Sequence, residues 1–194
     1  DGDGCATADW KGSLFFRRDG MTGPVYFAPA VAKDDAGSLW VYWGTGDRLE
    51  PVARGTGRDG FFGVRDVGAS APRTVANLQN ISVAAQHFTE LDTKDGWFIL
   101  FGGTGEKLLA APTVFGGVVY FTTYTPESAA GDPCEQTGLA RLYGISYFDG
   151  AASFTGGHRS MTLGRGIATE PLISSGVETG TGGLFGWVSG GAGT

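Results

Sequence analysis

Apolar residues in this chain come in short runs of aromatic and β-branched side chains, each closed by glycine, aspartate or serine. The segment 105–126, GEKLLAAPTVFGGVVYFTTYTP, shows the plan most clearly, with no charge after Lys107 and a proline at its end. At its centre the Gly116-Gly117 pair separates two runs. Val114, Phe115, Val118, Val119, Tyr120 and Phe121 in those runs suit a sheet buried on both faces. Adjacent glycines accept the positive φ angles of a two-residue turn, so the segment predicts a β-hairpin. Pro112 stands where the first strand begins, and there its missing N–H removes no ladder hydrogen bond.

The plan recurs along the chain. Residues 28–46, APAVAKDDAGSLWVYWGTG, repeat that of 111–123, APTVFGGVVYFTT: Ala-Pro, a small residue, Val, a turn, then an aromatic and β-branched run. A looser third copy starts at 169–173, TEPLI, and resumes at 184–190, LFGWVSG. Such internal repetition predicts a repeat architecture. Further strands are predicted over 13–19 (SLFFRRD), 59–67 (DGFFGVRDV), 96–101 (GWFILF) and 141–148 (RLYGISYF). Helical periodicity is poor throughout, and 81–92, ISVAAQHFTELD, admits either a short helix or a strand.

Strands at this spacing, joined by Gly, Asp and Ser turns, predict an all-β chain, and sequential hairpins stacked as sheets predict a β-propeller-like single domain over 1–194. Blades take about 40–50 residues each, so this length makes an incomplete ring or one of about four blades. Open sheet edges follow from that, and unpaired backbone groups recruit further strands.

Composition narrows the functional classes. With 41% hydrophobic and 12% aromatic residues the chain can bury a core, and its 35 glycines lack the three-residue period of collagen. A net charge of −6 without clustered Lys and Arg argues against nucleic acid or an anionic membrane as partner. No apolar run approaches the ~20 residues of a membrane span. No leader pattern opens the sequence, so in an exported protein Asp1 is a processed or truncated end. Cys5 and Cys134 form a single bridge closing a long loop, or stay as two free thiols. Neither has the CxxC spacing or the neighbouring histidine of a zinc or redox site.

Candidate chemistry is thin. GGTGEK (102–107) and GTGDRL (44–49) look like phosphate loops, but Glu106 intervenes before the lysine and strand residues follow, so both read as tight turns. His87 and His158 are isolated and read as structural, and the acid pairs Asp34-Asp35 and Asp92 with Asp95 read as solvated turns. No catalytic constellation is found, and the chain is expected to be no enzyme. The N-terminal DGDGCATAD places Asp1, Asp3 and Asp9 at the first, third and ninth positions of a calcium loop. Cys5 stands where an oxygen ligand is expected and Gly12 where a glutamate is, so a calcium site and a solvated acidic turn both stay open.

Taken in order, these motifs make the chain resemble the C-terminal β-propeller domain of the type IV pilus tip adhesin and pilus-biogenesis family. DWKGSLFFRRD (9–19) looks like that family's Asp-x-x-Gly-Asn-Leu-Trp-Arg strand. VYWGTGDRLE (41–50) with FFGVRDV (61–67) resembles its Phe-Gly-Thr-Gly-Arg-Tyr-Leu and Tyr-Gly-x-x-Asp pair. Residues 96–126 are similar to its Gly-Trp, Gly-Glu-Arg, Pro-x-Val and Phe-Thr-Thr-Tyr-x-Pro series, Cys134 falls in its Asp-x-Cys stretch, and GRGIATEPLI (164–173) looks like its closing blade.

The resemblance implies an extracellular or cell-surface protein, exported with the pilus system, that assists pilus assembly and adhesion. It also implies a propeller calcium loop, whose nearest equivalents here are Asp1, Asp3 and Asp9. Its partner would be a pilin or another pilus subunit, met by loops such as 47–60 and 126–138. The family's propellers are larger and follow a long N-terminal region. This chain is therefore expected to be a fragment, a processed product, or a subunit whose edges another chain completes. The alternatives are a structural subunit of an extracellular filament that self-associates through its sheet edges, and a quinoprotein-type enzyme with a calcium-held quinone.

Overall fold

A computed structural model describes residues 12–19, 23–55, 57–68, 71–127, 138–175, 182–185 and 188–189. The calcium candidates Asp1, Asp3 and Asp9, both cysteines, and most of the 126–138 loop lie outside these residues. The strands are β1 (Ala30–Lys33), β2 (Leu39–Gly44), β3 (Gly60–Asp66), β4 (Leu78–Asn80), β5 (Gly96–Leu100), β6 (Lys107–Leu108) and β7 (Thr113–Phe115). They continue with β8 (Val118–Pro126), β9 (Gly138–Ser146), β10 (Ser160–Arg165), β11 (Ile167–Ala168), β12 (Leu172–Ser175), β13 (Gly182–Phe185) and β14 (Val188–Ser189). The chain is all-β: among the described residues the only helical turn is a 3₁₀ turn, Val75–Asn77.

Two antiparallel meanders dominate. The first has the order β1-β2-β3-β5, with the short β4 added parallel to β5. The second runs β7-β8-β9-β10, and β6 pairs the far end of β8 beyond β7. All three repeated segments are hairpins: β1 with β2, β7 with β8, and β12 with β13. Gly116 (φ 58°) and Gly117 (φ 81°) make the two-residue turn that closes Phe115 onto Val118. In the β1–β2 hairpin Asp34 is buried, not solvated. Its carboxylate accepts from the Ser38 amide (2.7 Å) and the Trp40 indole N–H (3.0 Å).

Period-two alternation places the core. One face of the first meander carries Trp40, Tyr42, Phe61, Trp97 and Ile99, and it packs on Val119, Phe121, Tyr143 and Ile145 of the second. The rings of Phe61 and Phe121 stack across this interface with centroids 3.8 Å apart. Gly63 makes room for the Trp97 indole, since a Cβ there would lie 2.6 Å from its ring. The opposite face of the first meander holds Phe62, Val64 and Phe98 under Phe15 and Phe16. Beyond the second meander Thr122 and Thr113 donate to the carbonyls of Thr169 and Pro171, so 167–175 forms a further layer. The described sheets form an open stack, not a closed barrel.

Three expectations need correcting. Residues 13–19 make no strand: they share one bridge, Phe16 to Arg73, and pair with no strand among the described residues. Their aromatic rings instead cover the first meander, Phe16 lying edge-on to Trp43 at 5.1 Å. Residues 81–92 are neither helix nor strand. Their backbone is held by tertiary contacts that override local preference, Ile81 N–H to the Phe98 carbonyl and Phe88 N–H to that of Asp149. Finally, the 113–121 hairpin is not buried on both faces at its tip, where Phe115 is half exposed. Unbroken burial begins only at Phe121 and runs through Tyr124.

Candidate functional site

The β2–β3 connection, residues 45–59, meets the turn 101–106 and the Pro126 end of β8 at one end of the stack. Gly105 (φ 71°) sits so close to Arg54, Ala53 and Pro126 that a Cβ would come 2.8 Å from the Arg54 Cα. The Gly44-Thr45-Gly46 sequence that mimics a phosphate loop is in fact the seat of β6. A Cβ on Gly46 would stand 2.6 Å from the Leu108 carbonyl, and the Leu108 amide donates to the Thr45 carbonyl at 3.0 Å.

The Gly-Glu-Lys of the second glycine loop supplies two buried charges with separate tasks. The Glu106 carboxylate accepts from Thr123 (2.7 Å), the Tyr143 hydroxyl (3.0 Å) and the Gly103 amide (2.8 Å), which locks the turn onto the second meander. Lys107 points the other way. Its Nζ donates to the carbonyls of Glu50 (2.8 Å) and Ala53 (2.7 Å) and so clamps the long loop from beneath. Asp47 caps the same loop by accepting from the Leu49 amide at 2.9 Å. Thr45 ties its two ends, donating to Asp59 (2.8 Å) and accepting from the Gly60 amide (3.0 Å). Arg58 closes the far side on the Phe101 carbonyl through Nε (2.9 Å) and Nη2 (2.7 Å).

Electrostatics follow from this packing. Burial pushes the Asp59 carboxyl above its ordinary range, and the Thr45 hydrogen bond and the Lys107 charge offset only part of that. Burial likewise pulls Lys107 down, against Asp59, Asp47 and Glu50. A cavity of about 230 Å³ lies among Asp47, Glu50, Asp59 and Lys107. Among the described residues no three His, Cys, Asp or Glu side chains converge closely enough to hold a metal ion. The outer surface of the loop is different in character: Leu49 is 76% exposed and Val52 42%, flanked by exposed Arg48 and Arg54.

Of the residues singled out in the sequence, His87 and His158 are both exposed, His87 on the 81–92 segment and His158 in the turn before β10, and the neighbouring Arg159 and Gln86 join the two segments through the Gln86 carbonyl. Asp95 ion-pairs with Arg73 at 3.5 Å, and Asp92 is exposed. Sequence reasoning missed Lys107 and Glu106 as organising residues, although both stand in a motif it weighed for phosphate. No local signal marks them, because the partners that bury them, Thr123, Tyr143, Glu50 and Ala53, are distant in sequence. Comparisons with family models, curated proteins and solved structures find no match to the chain.

Proposed function

We propose that this chain is an extracellular, type IV pilus-associated protein that assists pilus assembly and adhesion by protein contact, on a β-propeller-like scaffold. Its motif series supports that reading, as do two consecutive four-stranded meanders stacked face to face with β1 against β7, the relation of neighbouring blades. The observation that carries the contact role is the 45–59 loop, with Leu49 and Val52 outward and Lys107 clamping it from within. Calcium at Asp1, Asp3 and Asp9 stays part of the proposal.

The test is isolation from the native source under mild conditions, followed by mass photometry and negative-stain imaging. Co-purification with a pilin, lost in Leu49→Asp without a change in melting temperature, supports the proposal. Isolation without any pilin sinks it. Ordered polymers of this chain alone would transfer the function to a filament subunit, a reading favoured by β1 and β10, each of which pairs on one side only among the described residues.

A further inference from the structure

A cleft of about 380 Å³ lies at the opposite end of β2 from the contact loop, between the β1–β2 turn and the turn that follows β9. Asp34, Asp35 and Ala36 line one side of it, Tyr147 and Phe148 the other. The two rings stand at 70° to each other with centroids 6.5 Å apart and so form an aromatic corner. That corner is held firmly. The Tyr147 amide donates to the Gly117 carbonyl (3.0 Å), and the Tyr147 carbonyl accepts from the Tyr42 hydroxyl (2.8 Å). The Phe148 carbonyl accepts from the buried Trp97 indole (3.1 Å), and the Trp40 ring packs on Phe148 at 5.6 Å.

The charge that lines the cleft is negative. Asp34 is already engaged, by the Ser38 amide and the Trp40 indole, and Arg65 acts on it electrostatically. Asp35 is exposed and makes no ion pair among the described residues. Lys33 runs past Gly37 and does not line the cleft. Burial, and then the charges of Asp35 and Asp34, push the Tyr147 hydroxyl pKa up, so the ring and the carboxylates share one space. Two carboxylates, one of them engaged, offer too few oxygens for a hard metal ion. A primary ammonium brings three donors and would find one free carboxylate to receive them. A quaternary ammonium has no donor to satisfy, and its methyl groups pack on aromatic walls.

We infer that this cleft binds a small quaternary ammonium of the choline kind, with its methyl groups against Tyr147 and Phe148 and its charge facing Asp35. An aromatic ring attracts a diffuse cation within about 6 Å of its centroid, and rings this close together let one cation reach both. The volume, at the lower end of ligand cavities, suits a head group of that size. This site is independent of the contact loop and goes beyond the pilus-associated reading.

The experiment is an amide NMR titration of the whole chain with choline, with the uncharged tert-butyl analogue of choline and with ammonium chloride. Saturable shifts with choline, centred on 34–37 and 147–149 and several-fold weaker with the other two, are expected. Tyr147→Leu removes the ring and should weaken choline about fivefold, the effect of one cation–π contact, whereas Tyr147→Phe keeps the ring and should preserve binding. Asp35→Asn, at an exposed position, should weaken choline without moving the melting temperature. Equal response to the uncharged analogue would reduce the site to apolar contact, and ammonium binding as tight as choline would reduce it to an acidic turn. Either result, unchanged affinity in both Tyr147→Leu and Asp35→Asn, or no saturable shift would overturn the assignment.

Discussion

Asp59 and Lys107 are the residues whose charge state the fold has to accommodate, and each answers to a different measurement. Asp59 has its pKa raised by burial, so it favours the folded state with the proton on. That contribution is fully present below the ordinary 3.8 and is lost as pH rises through the raised value. Asp59→Asn does not titrate and keeps an oxygen for Thr45. The parent should therefore gain stability relative to this variant as pH falls from about 7 to about 4. Thermal unfolding at the two pH values checks this, and a pH-independent difference would mean that burial does not perturb Asp59. Lys107→Met tests the clamp. It leaves the Ala53 carbonyl without its Lys107 donor and the Glu50 carbonyl with only the Ala53 amide, and the expected cost is about 2 kcal/mol, with faster amide exchange confined to 47–53. Uniform exchange across the chain would show that Lys107 supports the whole fold and not the loop. Neither role was legible in the sequence, where Glu106-Lys107 only spoiled a phosphate motif; burial of a charge is decided by strands that arrive from elsewhere. Asp34 failed for the same reason, because its indole partner, six residues on, reaches it only once the hairpin closes.

At the scale of elements, the strands that could be read were those whose side chains carry the whole signal. β5 sets Trp97, Phe98 and Ile99 in a row, and β3 and β9 carry aromatic and β-branched residues on either side of a glycine, Phe62 and Val64 about Gly63 and Tyr143 and Ile145 about Gly144. Gly116-Gly117 specified the β7–β8 turn in the same local way. That turn yields a sharp comparison. Gly116→Asn should be nearly neutral, because asparagine tolerates positive φ, whereas Gly116→Val should cost about 1–2 kcal/mol by chemical denaturation. Equal effects would mean the turn rearranges. What could not be read depends on partners distant in sequence. β6 is two residues long and exists because Gly44 and Gly46 leave a seat for it. Residues 81–92 take their path from the carbonyls that Arg159 gathers at Ile81, Val83 and Gln86. In 13–19 the pattern of a strand is present, but its rings complete an aromatic cluster with Trp43 and Phe62, and its backbone finds a single bridge.

For the molecule as a whole, the interface between the meanders sets both stability and the pattern of exposed edges. Phe121 stacks on Phe61 and Tyr143, and also touches Phe101. Phe121→Ala should cost about 3–5 kcal/mol and shift one cooperative transition, because the two sheets share a single core. Two separate transitions would show that each meander folds alone. In the same arrangement β10 pairs only with β9 among the described residues, and Met161 on it is 48% exposed. Its register shift between Thr162 and Gly164 breaks the edge there, leaving Ser160–Thr162 as the stretch able to take a further strand. If that edge recruits, sedimentation should show association that rises with concentration and weakens in Met161→Lys, whose charge blunts the edge while the core is untouched. Association unaffected by the substitution would move the contact to another face, and a chain that stays monomeric at high concentration would remove edge recruitment from the mechanism altogether.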